Sequence, residues 1–191
     1  MTEVFVLLLR GVNVGGVRLP MADFRAFLVD LGLESVASHI QSGNAVFRAK
    51  AGATEPLAAT ISAGLLARFG LDLAVFLYPL AEYQAILAAC PWQAEGAQDG
   101  AKVHVVFHRA VLSAVLGGAL SAHAVEGEGL TAAPGALYLH LPHGMGRSKL
   151  ALQVPRHLKG DQTARNWRTC LALLEMGRDL EGELEGGLTQ G

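Results

Sequence analysis

Apolar positions along the first eighty residues predict the order β-α-β-β-α-β. Residues 4–9 are apolar at every position, as in a strand that is covered on both faces. A helical spacing of apolar residues begins after Pro20, and Gly32 ends it. The other elements predicted here are strands at 36–41 and 45–48, a helix at 54–69 and a strand at 73–78. This order is that of a ferredoxin-like domain.

The second half of the chain repeats most of this order. Its predicted elements are a helix near 80–89, a strand at 102–107, a helix near 111–120, strands near 122–126 and 136–141, and a helix from 164 to about 180. The last strand of the repeat is unassigned. Residues 181–191 alternate Glu, Gly and Leu, which is typical of a frayed tail. We therefore expect an α/β (α+β) protein of tandem ferredoxin-like subdomains at 1–79 and 80–180, with a flexible tail at 181–191.

Composition indicates a cytoplasmic globular protein. The chain has 191 residues, of which 51% are hydrophobic, so a sizeable core can form. Its formal net charge of −2 means that the protein as a whole does not attract nucleic acid electrostatically, so any anion must be recognised by a local group of cations. No apolar run is long enough to span a membrane, and Glu3 and Arg10 do not suit a signal peptide. Cys90 and Cys170 are expected to be reduced and buried.

Two polar loops are predicted to meet at one edge of the first sheet. In a ferredoxin-like sheet the first and third strands are antiparallel neighbours, so the end of one lies beside the start of the other. The candidate ligand-binding residues in these loops are Arg10, Asn13, Gln41, Ser42 and Asn44. Their guanidinium, amide and hydroxyl groups suit a carboxylate, a phosphate or a nucleobase edge. The alternative is that Asn13 and Asn44 occupy left-handed turn positions and Arg10 pairs with an acid.

Two further polar motifs occur in the second half. Residues 144–149 form a basic glycine-rich loop without the spacing of a nucleotide-triphosphate loop, and Pro155 is expected to interrupt any strong helix after it. Residues 163–169 are predicted to open the last helix, with Thr163 as its N-cap. Two arginines in that first turn would oppose the helix dipole and indicate a nearby anion or carboxylate. The candidate ligand-binding residues of these motifs are Ser148, Lys149, Arg165 and Asn166.

Each of these motifs also has an interpretation without a ligand. The basic loop would then be a solvated surface, and the arginines of the last helix would pair with acids of the protein. No metal site is predicted, because His140 and His143 would point to opposite faces of an extended segment without other ligands nearby. No cofactor is predicted. No residue is an obvious general base.

Five motifs resemble a bacterial family, domain-of-unknown-function family 1697. They are LLRGVNVGG at 8–16, PMADFRAFL at 20–28, IQSGNAVF at 40–47, GRSKL at 146–150 and TARNWRT at 163–169. The resemblance spans nearly the whole chain and implies paired ferredoxin-like subdomains in a small soluble protein. It implies no activity. Pro155 departs from it, because the resemblance implies an uninterrupted helix after GRSKL.

We therefore expect a protein that binds an anionic ligand in a cleft between the subdomains. The ligand would be a nucleotide-like small molecule or a short nucleic-acid segment. The alternatives are a phosphate- or acyl-transferring enzyme that uses Ser148 or Lys149, and a structural or partner-binding module without a ligand. Because both faces of the first strand are apolar, we expect the other subdomain to cover the sheet that carries Phe5 and Phe47, so that any RNA would contact the loops.

Overall fold

The chain forms two compact units, each built around a four-stranded antiparallel sheet. The computed structural model describes residues 1–13, 15–109 and 114–188, the side chains of 114–116 and 185–188 excepted. The first unit comprises Met1–Gln84 and the chain from Ala172 onward. The second unit is Ala85–Leu171.

The first unit has the sheet order β2-β3-β1-β4 of a ferredoxin-like domain. Its elements are β1 (Thr2–Leu9), α1 (Met21–Asp30), β2 (Glu34–His39), β3 (Asn44–Lys50), α2 (Thr54–Phe69) and β4 (Val75–Pro79). The helix α2 has the predicted bounds and ends at Gly70, whose φ of 67° is the left-handed conformation that glycine adopts without strain.

Both faces of the first sheet are covered. The rings of Phe5 and Phe47 stack with their centroids 6.0 Å apart and are fully buried in the core that α1 and α2 help to form. On the opposite face, Arg48 donates hydrogen bonds to the carbonyl oxygen of Leu180 (2.7 Å) and to Glu183 (2.8 Å). The expectation that Phe5 and Phe47 are buried rather than open to RNA is confirmed, but the helices that cover these rings, α1 and α2, belong to the same unit.

The second unit completes the repeated order that the sequence predicts only in part. Its sheet order is β6-β7-β5-β8, the same as in the first unit. The remaining elements of the chain are α3 (Leu80–Ala88), α4 (Gln93–Gln98), β5 (Val103–His108), α5 (Ala114–Ser121), β6 (Gly129–Ala133), β7 (Ala136–His140), a 3₁₀ turn (Met145–Arg147), α6 (Lys149–His157), β8 (Gln162–Asn166) and α7 (Trp167–Leu188). The tandem ferredoxin-like fold is therefore confirmed.

Three predicted elements of the second half differ from the structure. The strand expected at 122–126 lies at Gly129–Ala133, because residues 122–128 close turns through bonds such as that from the Glu128 amide to the Val125 carbonyl oxygen. Residues 162–166 pair with β5, so the last helix begins at Trp167 rather than at 164. It continues to Leu188 through most of the segment expected to fray.

The expected interruption at Pro155 is also wrong. Pro155 lies inside α6, in its last turn. Because proline lacks an N–H, it removes one i→i−4 hydrogen bond, and in the last turn only two helical residues follow it. The amide of Leu158 donates to the carbonyl oxygen of Val154 (2.8 Å) and closes the turn. The segment after the basic loop is therefore helical in spite of its proline.

Candidate functional site

The two loops of the first unit meet at the end of β1. The backbone amide of Leu9 donates to the carbonyl oxygen of Gly43 at 2.8 Å. The side-chain amide of Asn13 donates to the carbonyl oxygen of Gln41 at 2.7 Å. This juxtaposition follows from the antiparallel pairing of β1 with β3. Both loops therefore contribute to one surface at this edge of the sheet.

Asn13 shapes the first loop rather than presenting its amide to solvent. Its backbone has a φ of 57°, in the left-handed region that asparagine tolerates. Its Nδ2 donates to the carbonyl oxygens of Gln41 and Leu19, and its Oδ1 accepts the amide of Leu19 at 3.1 Å. Both hydrogens of Nδ2 are therefore used within the protein. The side chain ties residues 13 and 19 together and holds this loop to the β2–β3 turn.

Asn44 and Ser42 are engaged within the β2–β3 turn. Asn44 is buried at the start of β3, and its Nδ2 donates to the carbonyl oxygen of His39 and to the hydroxyl of Ser42. The left-handed position expected for Asn44 is occupied instead by Gly43, at a φ of 70°. A Cβ on Gly43 would lie 2.8 Å from the Cβ of Leu9, so this close approach requires glycine.

A pocket of about 490 Å³ opens beside these loops. It is lined by Asn13, Gly16, Val17, Arg18, Leu19, Pro20 and Gln41. Among these lining residues Arg18 carries the only charge, and it forms no ion pair with any residue that the structure describes. Arg10 is exposed at the end of β1 but is not among the described lining residues.

Sequence reasoning missed Arg18. The signal was a cation two residues after the Gly15-Gly16 pair in the same loop motif. Arg10 is the more prominent cation in the sequence because it ends the apolar strand. In the structure it is Arg18, after the two glycines of positive φ, that lines the pocket. Backbone amides of a glycine-rich loop can bind an anion, so Arg18 at the end of this loop is a candidate contact as well.

Two of the four second-unit candidates, Ser148 and Asn166, cap helices, and Lys149 is exposed at the first position of α6. The hydroxyl of Ser148 accepts the amide of Ala151 (3.0 Å) at the start of α6, and Ser148 is only 1% exposed. The side-chain oxygen of Asn166 accepts the amide of Thr169 (2.9 Å) at the start of α7. The N-cap predicted at Thr163 is therefore wrong, because Thr163 belongs to β8. These bonds satisfy amides that a helix start leaves without partners.

Arg165 lies in a strand, so the argument from the helix dipole does not apply to it. It is opposite Val105 in the β5–β8 pairing. Its Nη1 donates to the hydroxyl of Thr163 (2.7 Å) and to the carbonyl oxygen of Ala164 (2.8 Å). Because β7 and β8 both end beside the start of β5, the segments that carry Ser148 and Asn166 leave the second sheet at the same edge.

The second unit also buries titratable side chains. Burial lowers the pKa of His104, whose Nδ1 has no hydrogen-bond partner among the described residues. Burial, with a smaller contribution from Cys90, raises the pKa of Tyr138 to about 12, and the Tyr138 hydroxyl donates to the carbonyl oxygen of Ile86 (2.7 Å). Burial also raises the pKa of the Cys90 thiol. All three groups are therefore held in their neutral forms near pH 7.

The two histidines near the end of β7 have separate environments. The ring of His140 stacks on Trp92 with centroids 5.9 Å apart, and His143 lies 3.4 Å from the carbonyl oxygen of Glu126. Within the ranges that the structure describes, no three His, Cys, Asp or Glu side chains are grouped to hold a metal ion.

The fold and the comparisons together define the class of protein. Two ferredoxin-like units in tandem make up the chain, and no helix among the described residues is long and apolar enough to cross a membrane. The chain belongs to the family described as "Protein of unknown function (DUF1697)", which matches residues 1–138. A search of curated proteins found no match.

A solved structure shares this fold. It is that of conserved bacterial protein SP0830 from Streptococcus pneumoniae, which is 24% identical in sequence. The similarity covers 92% of this chain and 99% of that chain, with a TM-score of 0.72. At this level of identity the likeness bears on the fold alone.

Proposed function

We propose that the protein binds a small anionic ligand, nucleotide-like in its chemistry, in the pocket at the end of β1. The observation that carries the proposal is a pocket of about 490 Å³ whose charge comes from Arg18. This volume lies within the range typical of small-molecule sites, about 300–1,000 Å³. A guanidinium group binds phosphate or carboxylate through two parallel hydrogen bonds, which gives both orientation and affinity.

The polar groups around Arg18 suit the rest of such a ligand. Gln41 is exposed, and its carboxamide can both donate to and accept from a nucleobase edge or a sugar hydroxyl. Gly15 and Gly16 have positive φ values and no side chains that would block a ligand from their backbone amides. Asn13 positions this loop through its three hydrogen bonds. Arg10 adds positive charge at the end of the preceding strand.

The alternative of an enzyme that uses Ser148 or Lys149 gains no support from the geometry of Ser148. Ser148 is buried, and its hydroxyl accepts a hydrogen bond from the α6 backbone. A nucleophile must reach a substrate and must pass its proton to a base. The geometry of Ser148 is that of a helix cap.

Ligand-induced stabilisation of the full chain tests the proposal. Inorganic phosphate, citrate, nucleoside monophosphates and nucleoside triphosphates are screened by thermal unfolding, and the best ligand is titrated by calorimetry. Binding to the folded state alone raises the melting temperature in a concentration-dependent way. Arg18→Ala should weaken binding about tenfold or more, the value expected for a lost charge-assisted pair.

Arg178→Ala is the matched control. Arg178 is exposed on α7 in the same unit and carries the same charge, but it lies outside the pocket lining. It should leave the affinity within about twofold, because a distant surface charge is screened by salt. Equal loss of affinity in both variants, or no stabilisation by any ligand of the panel, would overturn the proposal.

A further inference from the structure

We propose that the exposed face of α6 binds the phosphodiester backbone of a nucleic acid. The two units differ in charge. The second unit contains eight Lys and Arg against five Asp and Glu, a formal charge of +3. The rest of the chain contains seven against twelve, a formal charge of −5. The small net charge of the whole chain is therefore the sum of a basic second unit and an acidic first unit. A basic surface attracts nucleic acid.

The positive charge of the second unit is concentrated around α6. No Asp or Glu occurs between Glu128 and Asp161. Within this stretch Arg147, Lys149, Arg156 and Lys159 are all exposed. The side chains of these four residues, which we call the α6 basic row, form no ion pair with any residue in the described ranges. A polyanion would neutralise charges that the protein itself leaves uncompensated.

The spacing of the row fits a phosphodiester backbone. Lys149 and Arg156 are seven residues apart, which places them on the same face of the helix, about 10 Å apart along its axis. Phosphates repeat at short intervals along one strand of a nucleic acid. The long, flexible side chains of Lys149 and Arg156 can therefore each reach a phosphate of the same strand from this spacing. Arg147 precedes the helix and Lys159 follows it, so both lie at the ends of the row.

The other face of α6 argues against a membrane as the partner. A helix that lies on a lipid surface inserts its apolar face among the lipid chains. Leu150 and Val154 of α6 and Leu158 directly after it are buried in the core of the second unit. Leu152 alone among the leucines of the helix is exposed, by 61%. It lies between Lys149 and Arg156 on the basic face, where it can contact the sugars between two phosphates.

Fluorescence anisotropy with end-labelled 20-nucleotide RNA, single-stranded DNA and duplex DNA tests this proposal. The full chain is titrated at 50 and 200 mM salt. Binding should weaken steeply with salt, since released counterions drive association with phosphates. The double variant K149Q/R156Q should lose about tenfold or more in affinity at 50 mM salt. The slope of log affinity against log salt should fall by about 1.4 for single strands and about 1.8 for duplex.

Two matched variants make the result specific. K50Q/R178Q removes the same charge from exposed positions of the first unit and should change affinity less than twofold. Arg18→Ala should also leave oligonucleotide binding unchanged, so failure of the pocket and failure of the α6 basic row are distinguishable. Absence of binding at 50 mM salt, or equal loss in K149Q/R156Q and K50Q/R178Q, would refute the proposal. So would binding to phosphatidylserine vesicles that is stronger than binding to the oligonucleotides and is lost in K149Q/R156Q.

Discussion

Replacing Asn13 tests how the pocket at the end of β1 is built. Asn13→Ala removes three hydrogen bonds, two to Leu19 and one to Gln41. At about 0.5–1.5 kcal/mol each, and with water replacing some of them, their loss costs about 2 kcal/mol. Alanine at a φ of 57° adds about 1 kcal/mol, because alanine tolerates the left-handed region less well than asparagine, whose short polar side chain hydrogen-bonds locally. We therefore expect the free energy of unfolding to fall by about 3 kcal/mol.

A glycine variant separates the two contributions. Asn13→Gly loses the same hydrogen bonds but suits the left-handed backbone, so it should lose about 2 kcal/mol, less than the alanine variant. Urea unfolding monitored by far-ultraviolet circular dichroism at pH 7 measures both losses. An alanine variant that loses less than about 0.5 kcal/mol would refute the role assigned to the side chain. A glycine variant less stable than the alanine variant would refute the role assigned to the backbone.

Three further changes have defined outcomes. Gly43→Ala should lower the free energy of unfolding by about 3 kcal/mol, because its Cβ would lie 2.8 Å from that of Leu9 at a positive φ; a loss below about 1 kcal/mol contradicts this. Ile40→Asn should stabilise by about 0.5 kcal/mol, since Ile40 is 54% exposed at a φ of 50°; an unchanged or lower melting temperature speaks against strain there. Because burial lowers the pKa of His104, stability should fall as pH drops below about 6.5, by at most about 2 kcal/mol at pH 5, and His104→Leu should flatten that part of the pH profile.

Hydrophobic periodicity and glycine positions were enough to predict most of the fold. The bounds of α2 follow from its apolar spacing and from Gly70, and β1 follows from an unbroken apolar run. The prediction failed where tertiary pairing overrides local preference. Residues 162–166 contain polar and helix-compatible side chains. They nevertheless form the strand β8, because their backbone pairs with the edge of β5 and completes the second sheet.

The candidate site could be predicted only to the level of its loops. Strand adjacency correctly brings Asn13 and Gln41 together. The sequence does not reveal which of the loop residues use their polar groups on the backbone, since that depends on the path of the chain between them. The side chain of Asn44 could bind a ligand or hold a turn, and that of Ser148 could bind a ligand or cap a helix. The residue type does not distinguish the two roles in either case. Only the geometry assigns their hydrogen bonds to the protein.

This distinction changes how the motifs of the chain should be interpreted. The motif residues Asn13, Asn44, Ser148 and Asn166 each satisfy backbone or side-chain groups at the start of an element or in a turn. Such residues fix the shapes of loops, and their loss should appear as lost stability. Exposed cations beside them, such as Arg18 and Lys149, contribute little to stability. Recognition of an anion at either place should therefore depend on these cations, and the two kinds of residue should separate when stability and binding are measured on the same variants.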